Sequence, residues 1–194
     1  MTYGAIKDGT GNGYAAEVSS DNKLRVRAII ESSIDHASER GEAFNINTGE
    51  IVITADSAIL FFKNLEDAPM FIDAVAVGIT NGNESDIQKI TVLRNPTTGT
   101  IISNAVAADI VVNRNFGSSK LPDNSLTYKG VSGDTFTNGD NAALFFQQDN
   151  NRLYADVSFY LPKNSSIGIK IDVNLSVGAI GVYGALVCHQ KEIV

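Results

Sequence analysis

Ser57-Ala-Ile-Leu-Phe-Phe-Lys-Asn-Leu-Glu-Asp-Ala-Pro-Met-Phe-Ile-Asp-Ala-Val-Ala-Val-Gly-Ile-Thr80 carries two apolar runs, Ala58–Phe62 and Met70–Ile79, on either side of a polar break at Lys63–Pro69. Each run is short, rich in aromatic or β-branched residues and bounded by turn formers. That is the pattern of two strands joined by a tight loop. Both faces of each run are largely apolar, so the stretch predicts a central hairpin covered on both sides.

Downstream, Leu153, Ala155, Val157, Phe159 and Leu161 alternate with Tyr154, Asp156, Ser158 and Tyr160. Ile167, Ile169, Ile171, Val173 and Leu175 alternate with Gly168, Lys170, Asp172 and Asn174. With Pro162–Ser166 as the turn, these two strands predict an antiparallel hairpin with one core face and one wet face. Ala179–His189 is apolar or small on both faces, which suits a strand in mid-sheet or against a second subunit. Shorter strands are expected at Ile51–Thr54, Gln88–Arg94, Thr100–Ser103, Val106–Val112, Leu126–Lys129 and Ala142–Phe146. Asn113–Asn141 is long and irregular, and only Glu31–Gly41 has helical character, for one or two turns. No 20–50-residue period recurs. The fold class is all-β, and the leading architecture is an antiparallel two-sheet jelly-roll sandwich with an extended N-terminal hairpin arm.

The texture changes near Ala43. Residues 1–22 are glycine-rich, and Ala15–Val18 and Lys23–Ile30 flank Ser19-Ser-Asp-Asn22 as a second candidate hairpin. In its second strand Lys23, Arg25 and Arg27 share one face, opposite Leu24, Val26, Ala28 and Ile30. That basic stripe is either a solvated face or a docking face for an acidic partner. The expected organisation is residues 1–44 as an arm for attachment or oligomerisation and 45–194 as the sandwich.

The 194 residues are 43% hydrophobic and carry a formal charge of -7, so the chain can bury a real core. An acidic surface argues against nucleic acid as a partner, because phosphate contacts need clustered Lys and Arg. Cys188 stands alone, so no intrachain disulfide forms. The first residues lack a basic stretch followed by an apolar core, so no signal peptide is expected. No apolar run approaches the length that spans a bilayer, and no membrane role is expected.

The search for chemistry comes out empty. His36 and His189 sit in no metal-ligand spacing. Cys188 lies in an apolar strand, and no basic neighbour would activate it. There is no Gly-x-Ser-x-Gly elbow and no phosphate loop, and no helix follows Gly9, Gly11 and Gly13 to make a dinucleotide site. Asp156 and Asp172 fall on the wet faces of neighbouring expected strands and could come near each other as the carboxylate pair a glycosidase needs, but the chain has no tryptophan to stack a sugar. The Asp- and Asn-rich loops Asn81–Asp86 and Asp134–Asp140 could offer oxygen ligands to calcium, but turn chemistry accounts for them. The expectation is no enzyme, no cofactor and no metal.

Several segments resemble a family of tailed-bacteriophage virion proteins commonly encoded with head genes. They are Ala43-Phe-Asn-Ile-Asn-Thr-Gly-Glu-Ile51, Phe61-Phe-Lys-Asn-Leu-Glu-Asp67, Ile72-Asp-Ala-Val-Ala-Val-Gly78, Arg94-Asn-Pro-Thr-Thr-Gly-Thr-Ile101 and Asn113-Arg-Asn-Phe-Gly-Ser-Ser-Lys120. Asp8-Gly-Thr-Gly-Asn-Gly13, Ala16-Glu-Val18 and Lys23-Leu-Arg-Val26 fit as well. The resemblance implies a structural component of the particle, a head decoration (cement) protein with the major capsid protein or another virion protein as partner. It implies a virion location after assembly in the host cytoplasm. A tail or receptor-binding component that recognises a host glycan or protein is the alternative. The apolar final strand and its neighbours add the expectation of a homo-oligomer, taken as a homotrimer.

Overall fold

The computed structural model describes residues 5–7, 13–15, 33–176 and 178–190. The chain forms two compact units, Met1–Ser32 and Ser33–Val194. In the first, β1 (Ala5–Lys7) pairs antiparallel with β2 (Gly13–Ala15), with Ile6 opposite Tyr14. The hairpin expected at 15–30, with Lys23, Arg25 and Arg27, lies outside the described residues apart from Ala15.

The second unit opens with α1 (Ser33–Glu39), followed by β3 (Ala43–Asn47), β4 (Ile51–Ile53), β5 (Ser57–Lys63), β6 (Met70–Thr80) and β7 (Ile87–Arg94). Then come α2 (Thr100–Asn104), β8 (Ile110–Asn113), β9 (Leu126–Lys129), β10 (Asp140–Gln148), β11 (Arg152–Leu161), β12 (Ser166–Asp172) and β13 (Ile180–Gln190). The strands make two antiparallel sheets. One runs β10-β7-β12-β5-β9; the other runs β11-β6-β13-β3-β8, with β4 also on β13. β3 and β4 follow the same side of β13 and are separated by a bend at Gly49, whose φ is 70°. No helix among the described residues is long and apolar enough to cross a membrane.

One apolar core lies between the sheets. Ile59, Leu60 and Phe62 of β5, Ile90 and Val92 of β7 and Ile169 of β12 meet Phe44, Ile72, Val75, Val182 and Leu186 from the opposite layer. Gly184 lets the layers close: a Cβ there would stand 3.1 Å from Ile59 Cδ1. A smaller cluster of Ala58, Phe61 and Ile101 sits outside the first sheet, where α2 and the ring of Phe136 cover β5. The all-β expectation and the two-sheet sandwich are met, and β13 occupies the middle of its sheet as its two-sided apolar pattern requires.

Both expected hairpins are corrected. β5 and β6 do not pair with each other; they belong to different sheets. The same holds for β11 and β12. Residues 64–69 and 162–165 step the chain across the core, a distance of about 10 Å. Period-two alternation says which side chains face the core, and it is blind to which sheet takes each strand. β12 consequently lacks the fully wet face expected of it. A Cβ on Gly168 would stand 2.6 Å from the Phe136 ring.

Three further expectations change. Thr100–Ser103 is helical: Gly99, at φ 148°, turns the chain in, and Ala105, at φ 50°, closes α2. Its Ile-Ile pair reads as strand, but Ile101 is buried against the small outer cluster instead. Of Val106–Val112 only the end is strand, and Ala107 makes an isolated bridge to Tyr128. The expected boundary between 44 and 45 falls inside β3, where Ala43 and Phe44 are fully buried, so the sandwich unit begins at Ser33.

Candidate interaction surface

The outer face of the second sheet is the feature that stands out. Inward residues of β6 and β13 serve the core, and Ala74, Ala76, Ala185 and Val187 on the other side are small or apolar as well. Across the sheet, Tyr154, Ala76, Ala185, Asn47 and Ile110 fall in one row. Asp156, Ala74, Val187, Asn45 and Val112 form the next. The rims are exposed: Tyr154 by 60%, Ile110 by 45% and Val112 by 41%. Asn45 Oδ1 is buried and has no hydrogen-bond partner. α1 packs on β13 and β3. Where β13 ends, an aromatic ladder crosses three strands. Phe71 stacks on His189 at 5.2 Å and meets Tyr160 at 5.2 Å, and His189 Nδ1 lies 2.8 Å from Asp73 Oδ2.

A second feature adjoins this face. β10 ends the first sheet and β11 ends the second, and the two are consecutive in the chain. They border one open flank of the sandwich. Ala143, Phe145, Leu153, Val157 and Phe159 pack against the core there but are only partly buried. Ala142, Leu93, Phe159, Leu161 and Ile167 line an apolar cleft of ≈ 110 Å³ on this side. The ladder with β6 shifts between Asp156 and Phe159, and Ser158 adopts φ 52°, so β11 bulges in its second half.

The carboxylates considered from sequence do not come together. Asp156 faces out from β11 in the second sheet and Asp172 faces out from β12 in the first, with the sandwich between them. Asp172 instead accepts Lys89 Nζ at 2.7 Å and Lys170 Nζ at 3.2 Å. Burial raises its pKa, but the two lysines outweigh that and hold it below the usual carboxylate range. Cys188 is fully buried; burial first, and the charge of Asp73 second, push its thiol up to about 12, so no thiolate nucleophile exists at neutral pH. His36 lies in α1 and His189 in the ladder.

The polar loops brace the fold. Asp86 Oδ2 accepts Ser176 N at 2.8 Å and Ser176 Oγ at 2.7 Å. Asp149 Oδ1 accepts Gln88 Nε2 at 2.9 Å, and Asn174 N donates to Gln88 Oε1 at 2.6 Å. Asp149 Oδ2 is buried and unpartnered; burial, and then the charge of Asp86, raise its pKa. Asp134 accepts Asn104 Nδ2 and Val131 N, each at 2.9 Å, and Asp140 pairs with Arg94 at 2.7 Å. Among the described residues no group of three or more His, Cys, Asp or Glu could hold a metal ion.

Sequence reading missed the outer face as a surface. Its one signal was the two-sided apolar pattern of Ala179–His189; Asn45 and Asn47 masked the β3 share of it.

No known family model matches the chain, and no curated protein is similar to it in sequence. Among solved structures, a mitogen from Yersinia pseudotuberculosis overlays with TM-score 0.31 at 11% identity, over 77% of this chain and 89% of that one. A chain of infectious bursal disease virus, Gx strain, overlays with TM-score 0.28 at 13% identity, over 75% of this chain and 30% of that one. This chain therefore spans under a third of the viral chain. At these scores the overlays carry no argument about what the protein does.

Proposed function

We propose that the protein is a non-enzymatic structural component of a phage particle that decorates and stabilises the capsid shell. The observation that carries this reading is the outer face of the second sheet, where exposed Tyr154, Ile110 and Val112 stand at the ends of rows whose middle holds half-buried Ala76, Ala185 and Val187. Exposed apolar side chains gathered on one face favour a site that another surface covers. The resemblance of segments such as Arg94–Ile101 to phage virion proteins supplies the class of particle. The strand order supports the jelly-roll form of the sandwich. Within the two sheets, β3-β13-β6-β11 and β5-β12-β7-β10 are the orders produced by two Greek keys. The partner is the major capsid protein or another virion protein, and Lys23, Arg25 and Arg27 are the proposed attaching cations for an acidic patch on it.

The test is labelled electron microscopy of virions together with re-addition of purified protein to shells that lack it. Label over heads, and bound protein that raises the temperature at which shells release their contents, is the expected result. Joint replacement of Lys23, Arg25 and Arg27 by Ser should weaken binding more at low salt than at high salt. Label at the tail would overturn the shell reading in favour of a receptor-binding role. Absence from purified particles would overturn both.

A further inference from the structure

We propose that β11 is a self-complementary docking edge, and that its occupant is β11 of a second copy of this chain, paired antiparallel about a two-fold axis at Tyr154. Three observations lead there. Among the described residues β11 pairs with β6 alone, so one side of its backbone has no ladder. From Arg152 to Asp156 its register against β6 is unbroken, running from Arg152 opposite Gly78 to Asp156 opposite Ala74, and the bulge begins only after Asp156. The regular stretch is therefore five residues centred on Tyr154. An unpaired regular edge of this kind is a template for another strand.

The second observation is charge. Arg152, Tyr154 and Asp156 are all exposed and share the outer face. Neither Arg152 nor Asp156 has an ion-pair partner among the described residues. In an antiparallel pairing centred on Tyr154, Arg152 of each copy stands opposite Asp156 of the other, and Tyr154 meets Tyr154. Opposite charges directly across a ladder stabilise it and like charges oppose it. Centring the axis one residue to either side loses both ion pairs. The third observation is the flank itself: Leu153, Val157 and Phe159 of β11 and Phe145 of β10 are core residues left partly open, and a copy alongside would cover them.

The contact is isologous, so assemblies built with it have even numbers of copies. A three-fold contact elsewhere would double to six. The proposal does not depend on the virion reading, since self-pairing can fail while particle binding holds, and the reverse.

The test uses the full chain in sedimentation equilibrium over a concentration series. Wild type is expected to associate with even stoichiometry. Arg152→Asp and Asp156→Arg, made singly, create like-charge pairs and should weaken association by at least about tenfold. The double swap, R152D with D156R, restores opposite charges and should recover it. Tyr154→Cys should oxidise to a disulfide-linked dimer, because only the residue on the axis faces its own copy across the ladder; Ser158→Cys should not. Buried Cys188 does not compete for the oxidant. Monomeric wild type, single reversals without effect, or faster cross-linking at position 158 than at 154 would each overturn the proposal.

Discussion

Asn64→Ala should cost the fold about 3 kcal/mol. Asn64 is fully buried where the two sheet-to-sheet steps meet. Its Nδ2 donates to Leu161 O at 3.0 Å and to Ala68 O at 3.1 Å, and its Oδ1 accepts Glu66 N at 3.0 Å. Its backbone is tied in as well: Asn64 N donates to Ser165 O at 3.0 Å and Asn164 N donates to Asn64 O at 2.7 Å. Alanine keeps those two bonds and removes the three side-chain bonds. Each such bond contributes about 1 kcal/mol net, which gives the total above, and orphaning the buried Leu161 carbonyl pushes the cost upward. For a domain of this size the melting temperature falls by about 6–12 °C. Asn64→Asp keeps the acceptor for Glu66 but turns a carboxylate toward two carbonyls, so at neutral pH it should be at least as damaging. Exposed Asn124, which also reaches Glu66, serves as the control, and its alanine variant should stay within about 0.5 kcal/mol of wild type. Urea unfolding followed by circular dichroism measures all three. A loss below about 0.5 kcal/mol for Asn64→Ala would refute the view that this side chain pins the two crossovers.

The Cys188 thiol ionises near 9.0 when unfolded and is held up to about 12 in the fold. The unfolded chain therefore releases its proton first, and stability should fall as pH rises through that window, by up to about 1.4 kcal/mol per unit. Cys188→Ala should lose this slope, and thiol reagents should label the wild type only as it unfolds. Asp172 behaves in the opposite sense: its contribution is present above the ordinary value of 3.8 and is lost as pH falls through its lowered native value. Because its lysine partners are half exposed, Asp172→Asn should lower the melting temperature by no more than about 4 °C at neutral pH.

What could be read before the structure depended on locality. The alternation of β11 forecast its exposure residue by residue, with Tyr154, Asp156 and Tyr160 outward and Leu161 buried. The two-sided apolarity of β13 forecast a central strand. Partner choice was not legible, because β5 and β6 are both apolar enough to sit in either layer, and Asn64 looks like an ordinary turn residue until Leu161 arrives beside it. α2 was hidden by its isoleucines, since burial of Ile101 on Ala58 and Phe61 is a long-range contact. Asp156 and Asp172 looked like neighbours only while β11 and β12 were taken as a hairpin. Asp156 read as part of an ordinary wet face and Arg152 as the end of a polar turn, because the feature that gives them meaning, an edge position, follows from pairing and not from pattern.

The two flanks of the sandwich are finished differently, and that difference bears on how the protein assembles. On one side the edges are β9 and β8, each four residues long. The chain itself covers β9: Ala108 N donates to Thr127 O at 3.1 Å and Lys129 N to Val106 O at 2.9 Å, just before the backbone enters β8 in the other sheet. That flank is stitched shut. On the other side the edges are β10 and β11, of nine and ten residues, and no described segment covers either. β10 turns Leu144 and Phe146 outward, exposed by 49% and 66%. A chain under pressure only to stay dispersed blunts every long edge with charge, a bulge or a covering loop. Here the bulge of β11 is confined to its second half, leaving Arg152–Asp156 regular and charged in a self-complementary order. Closure on one flank and openness on the other is the pattern of a protein that associates along its open side, and a two-fold contact at β11 consumes that edge.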